Sequence, residues 1–217
     1  MALTSPAWAP LQTQTDAQVP VTWDPCRPIH YVTRPDGAPA GAQVLLQQAL
    51  VRASTATGLQ FIDDGATTEE TSPTREAFQP QRYGDRWAPV LITYNTTTEV
   101  PDLAASVIAQ AGPATVTTTV PSPWSAVTGR VGASVDVYVS GVIQIDAAEV
   151  ATVLSHPGGQ EMVRAVFEHE VGHLLGLAHV DDPTQLMYPQ AGTLTDYAAG
   201  DLTGLAALGT GACTPTL

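Results

Sequence analysis

Lysine is absent from this chain, and all eight of its cations are arginines, at positions 27, 34, 52, 75, 82, 86, 130 and 164. Against 21 acidic residues they leave a net charge of −13. So acidic a chain repels phosphate, which sets aside nucleic acid and anionic membranes as partners. Long apolar runs are absent too: none reaches the eighteen residues that a membrane-crossing helix needs. Aromatic residues make up only 6% and charged residues 13%, yet 44% of the 217 residues are hydrophobic. That is enough apolar chain for one sizeable core, with no metal or crosslink required merely to fold.

Cysteine is nearly absent as well. Cys26 and Cys213 stand close to opposite ends of the chain, each beside Pro or Gly in a segment expected to be peripheral. In an oxidising compartment they would close a ring of almost the whole chain, for which loop entropy gives roughly 5 kcal/mol. In a reducing compartment they would be two thiols. The reading adopted is a disulfide in a secreted protein. The opening Met1-Ala2-Leu3-Thr4-Ser5-Pro6 has no basic start and no apolar stretch of secretion-signal type, so the extracellular assignment rests on the cysteines.

Residues 1–20 lack hydrophobic periodicity and read as a flexible leader, with one domain over 21–217. Strands are expected at Ile29–Val32, Leu59–Ile62 and Pro89–Thr93, the last continuously apolar and hence central in a sheet. An edge strand is expected within Ser106–Thr119. Val135–Val139 and Val142–Ile145 alternate around Ser140-Gly141, which suggests a hairpin or a bulged strand. Residues 65–88 are polar and turn-rich, and read as a long surface loop. Helices are expected over Ala40–Thr57, with Val44, Leu45, Ala49, Leu50 and Ala53 as the apolar face, over Gly159–Leu175 and over Thr195–Leu208.

The chemistry is concentrated in His169-Glu170-Val171-Gly172-His173-Leu174-Leu175-Gly176-Leu177-Ala178-His179. On a helix His169 and His173 are one turn apart, with Cβ atoms about 6 Å from each other on one face. Two imidazoles so placed can meet one Zn²⁺ at about 2.0–2.1 Å. His179 would lie about 15 Å further along a continuing helix and roughly 80° round it, so the chain has to break and turn back. Gly176 permits that break by taking positive φ. Three neutral histidines leave a fourth zinc position open to water, and Glu170 stands where a carboxylate can take a proton from it.

The pattern H-E-x-x-H-x-x-G-x-x-H is the metzincin signature. With Leu186-Met187-Tyr188-Pro189 eight residues downstream of the third histidine, and with the segment 201–209, the chain resembles the matrixin branch of that family. Trp23–Ile29 and Tyr83–Pro89 look like segments of secreted matrixin-like proteins of actinobacteria. The resemblance is dense over 160–209 and thinner back to Trp23.

It implies an α+β, zincin-like domain with a twisted, mixed five-stranded sheet, three helices and a cleft that takes an extended peptide as an added strand. It implies His169, His173 and His179 as zinc ligands, with Glu170 as general base. Gly176, Met187 and Tyr188 would support the site. Met187 would form an apolar floor, Tyr188 would pack or hydrogen-bond the reaction intermediate, and Pro189, Gln190 and Ala191 would line the pocket after the scissile bond. The function expected is a monomeric zinc endopeptidase. A non-catalytic zinc-stabilised interaction domain is the alternative, and hydrolysis of a non-peptide amide stays open.

The chain departs from vertebrate matrixins in lacking histidine at Ala109-Gln110-Ala111, so a second, structural zinc is not expected. His30 and His156 read as ordinary strand and loop residues. Calcium is unassigned, although Asp63, Asp64, Asp136, Asp146 and Glu149 are available oxygen donors. Glu161 and Glu168 read as solvated helix faces. Asp181-Asp182 either orients a ligand imidazole or belongs to a turn.

Overall fold

The computed structural model describes residues 7–15, 18–104, 107–120, 133–190 and 192–214. Its sheet has six strands: β1 (Thr22–Trp23), β2 (Ile29–Arg34), β3 (Phe61–Ala66), β4 (Val90–Asn95), β5 (Ala109–Val120) and β6 (Ala133–Asp146). β6 is the longest. It pairs antiparallel with β5 along one side, and parallel with β1 and β4 along the other. β2 joins β4 to β3, again in parallel. The sheet is therefore parallel-dominated with one antiparallel margin. Five strands were expected, and the sixth is the two-residue β1, too short to leave an alternation in the sequence.

The long β6 takes the bulged form of the two readings. Its register with β5 shifts where Ala114 faces Ser140 and Thr115 faces Tyr138, which leaves Val139 as the extra residue. All six residues of β4 are buried, as a central strand covered on both faces requires.

Among the described residues there are five α-helices: α1 (Ala42–Thr57), α2 (Pro80–Tyr83), α3 (Ala147–Leu154), α4 (Gly159–Leu175) and α5 (Ala199–Leu208). α1 buries Leu45, Leu46, Ala49, Leu50 and Ala53. Val44, expected on that face, is 55% exposed, because it falls just outside the buried stripe. α3 was not expected; Asp146 caps it by accepting from the backbone N–H groups of Ala148 and Glu149. α5 begins at Ala199 rather than Thr195, since the Asp201 carboxylate reaches back to the Ala198 N–H and fixes the first turn there.

One face of the sheet packs Val90, Ile92, Tyr94, Ile143 and Ile145 into the core shared with the helices. Residues of the 67–89 segment lie on the other. Arg75, nearly buried, holds Glu69 through two nitrogens and also donates to Ser140 Oγ, Gly141 O and Pro89 O. The stretch read as a surface loop is thus partly interior, with α2 inside it.

Packing also starts before Val21. Leu11 N–H donates to Gly176 O, and Ala178 N–H donates to Ala9 O. Residues 9–11 thus lie against the chain at 176–178, where a free leader was expected. Cys26 and Cys213 form a disulfide, with Cα atoms 5.5 Å apart. Asp24 reinforces it by accepting from both the N–H and the Oγ1 of Thr214.

Candidate metal centre

α4 carries His169, Glu170 and His173, and it ends where Gly176 takes φ 109°. A side chain at Gly176 would be strained at that φ, and its Cβ would lie 2.9 Å from the Tyr138 ring. The chain turns there and returns His179 to its partners. Nε2 of His179 lies 3.1 Å from Nε2 of His169 and 3.1 Å from Nε2 of His173.

The outer nitrogens decide the tautomers. Nδ1 of His169 is 2.8 Å from Leu186 O, and Nδ1 of His173 is 2.8 Å from Leu177 O. A carbonyl only accepts, so both Nδ1 atoms carry the proton and both Nε2 atoms present lone pairs. Burial pulls the pKa of all three rings down, that of His173 to about 3 with His169 adding to the effect, so the rings are neutral near pH 7. Three neutral nitrogens aimed at one point repel each other unless a cation lies between them. Two ligands at 2.0–2.1 Å on a tetrahedral ion are about 3.4 Å apart, which is close to the spacing here. The donor set fits zinc.

Glu170 is buried beside the histidines, and its Oε2 has no hydrogen-bond partner among the described residues. Burial pushes its carboxyl up to about 8. Below the helix, Met187 is 1% exposed and sits where Gly172 leaves room, since a Cβ on Gly172 would lie 2.7 Å from the Met187 sulfur. The turn around Met187 is closed by Val180 N–H donating to Met187 O and by Tyr188 N–H donating to Gln185 O.

These residues open onto a cleft of about 470 Å³. Val107, just before β5, and Ala109 and Ala111 at its start line one part of it. Met162, Ala165 and Val166 of α4 also line it, and Leu186, Pro189 and Leu194 add further apolar surface. Tyr188 and Gln190 also face the cleft; Ala191 lies outside the described residues.

Other expectations fare differently. His30 bonds to Asp64 with Arg86 alongside, and His156 Nδ1 bonds to Thr152 O. The acidic residues held in reserve for calcium are dispersed: Asp146 caps α3, Asp136 accepts from Thr117, and Asp63 accepts from the Gly65 N–H. Asp182 accepts from the N–H and Oγ1 of Thr184, which is turn chemistry.

Glu168 corrects its reading outright. It is fully buried, with Oε1 2.6 Å from Arg164 Nη1. Burial pushes its carboxyl up to about 7, against the pull of Arg164. Tyr197 and Asp196 of the segment before α5, and Arg52 of α1, lie against it, which helical periodicity within α4 does not reveal.

The sequence reading also missed two supports. Asp201, fully buried, accepts from the N–H groups of Leu186 and Met187. Gln185 accepts from those of Gly200 and Asp201. An acidic residue at the third position of a helix was a visible sign of a backward-reaching cap, but its second partner, fifteen residues upstream, was not.

No curated protein matches the chain. A family model described as matrixin matches residues 126–205, a little over a third of the chain. That span takes in the three histidines, Glu170, the turn at Met187 and most of α5. Over it, the chain is matrixin-like, and the resemblance points to the metalloproteases.

Proposed function

We propose that the chain is a secreted zinc-dependent endopeptidase, with His169, His173 and His179 as zinc ligands and Glu170 as general base. The observation that carries this reading is the convergence of three neutral imidazole nitrogens beside a buried, unpartnered carboxylate on an open cleft.

A zinc ion held there supplies Lewis-acid polarisation of a peptide carbonyl and lowers the pKa of a water. The protein's own groups do the rest. Glu170, whose ionised form a cation in the histidine site would favour, takes the proton from the attacking water on its free oxygen and returns it to the leaving amine. The Leu186 and Leu177 carbonyls hold His169 and His173 in the ligating tautomer. Met187 floors the histidines, Gly176 returns the third of them, and Tyr188 supports the rim. β5 has β6 as its one strand partner among the described residues, so its outer edge is the place for an extended peptide to add as a strand. Pro189, Gln190 and Leu194 then face the residue after the cut, and the apolar lining favours an apolar side chain there. The disulfide supports an extracellular setting.

The test is zinc stoichiometry by elemental analysis, paired with digestion of a mixed peptide library with and without chelator. One zinc per chain with chelator-sensitive cleavage is expected. Zinc without cleavage favours a zinc-stabilised interaction domain, and cleavage of small amides alone favours a non-peptide amidase.

A further inference from the structure

Leu194 lends an apolar side chain to the lining of the cleft and stands outside any helix or strand. What holds it lies just downstream. Thr195 O accepts from Arg164 Nη2 at 2.9 Å, Asp196 Oδ1 accepts from Arg52 Nε at 2.7 Å, and Tyr197 OH donates to Glu168 O at 2.5 Å. Three consecutive residues are therefore tied to three different points on α1 and α4.

The ties are unequal. Arg52 and Asp196 are both substantially exposed, and such pairs contribute little. Arg164 is different, because its guanidinium spends one nitrogen on the buried Glu168 carboxylate and the other on the Thr195 carbonyl. Glu168 is 0% exposed, so it holds Arg164 in one orientation, and the planar fork carries that orientation on to the cleft wall. A lysine has one nitrogen on a flexible stem and cannot bridge the two acceptors in this fixed geometry. Arg164 itself does not line the cleft.

We infer that Arg164 is a positioning residue: through the Thr195 carbonyl it fixes the Leu194 wall, and with it the size of side chain that the cleft accepts against Leu194. This rests on the endopeptidase reading for the nature of the ligand.

The experiment uses zinc-loaded protein carrying Glu170→Ala, so that peptides bind without turnover. A series of peptides differing only in the residue expected after the cut (Ala, Leu or Phe) is titrated with Arg164 intact and with Arg164→Lys. The lysine variant should keep one zinc per chain and shift the Phe-to-Leu affinity ratio at least fivefold towards Phe, as the wall loosens. Arg164→Met paired with Glu168→Leu removes the buried charge as well as the fork, and should shift the ratio the same way. Amide exchange over 192–197 should rise in both variants, with the histidine-bearing turns of α4 unchanged. An unchanged ratio and unchanged exchange in zinc-retaining variants overturn the inference. If Glu170-intact protein binds these peptides with this discrimination yet never cleaves them, the endopeptidase reading falls and the role of Arg164 stands.

Discussion

The carboxylate of Asp201 accepts the backbone N–H of Leu186 at 2.7 Å, and the carbonyl of the same Leu186 accepts Nδ1–H of His169 at 2.8 Å. A buried acid on α5 thus reaches the first histidine of the cluster through a single residue. It orients that histidine without touching it.

Asp201→Ala should therefore weaken zinc binding by about 10- to 100-fold, the usual range when a support behind a metal ligand is lost. Competition against a chromophoric chelator reads the affinity directly. Asp201→Asn keeps an acceptor oxygen and should recover part of it. Unaltered zinc affinity in folded Asp201→Ala protein would sink the relay.

Glu170→Gln should leave zinc stoichiometry at one per chain and cut kcat by about 10²- to 10⁴-fold, the range for a lost general base. Elemental analysis and kcat on one good peptide check both halves. A fully active variant would show that Glu170 is not the base.

Reducing the Cys26–Cys213 bond should destabilise the protein by about 2–5 kcal/mol. Urea unfolding with and without reductant, at constant zinc, measures this. The Asp24 carboxylate also clamps Thr214, so Asp24→Ala should loosen the same end even in oxidised protein.

Acid should act partly through Glu69. Burial alone would raise its pKa, but hydrogen bonds from Arg75, Tyr83 and Gln79 outweigh burial and hold the carboxyl below its ordinary value of 4.5. A carboxyl depressed in the folded state adds stability that is complete above its unfolded value and is lost as pH falls through the folded one. Thermal midpoints of the wild type should thus drop as pH falls below about 4.5, and Glu69→Gln should flatten that part of the curve. Parallel curves for the two proteins would remove Glu69 from the account.

The cluster was legible because its constraint is local. Two histidines one helical turn apart, with a glycine break before the third, allow few geometries, and the structure brings the three rings together. α4 and the central β4 were equally plain, one from its periodicity and the other from its continuous apolar run. What escaped was set by partners distant in sequence. Glu168 looks solvated until α1 and the segment before α5 lie against it, and Glu69 looks like a loop acid until Arg75 folds inward. α3 carried its sign in Asp146 and Glu149, an acid cap with an acid in the first turn. β1 pairs through two residues only, and no pattern that short stands out from its surroundings.

The bond between Cys26 and Cys213 has a consequence for wear. A single cut in any loop between those residues leaves both pieces in one covalent molecule. The protein can thus be nicked once there without shedding a fragment. The damage would show as two bands only after reduction.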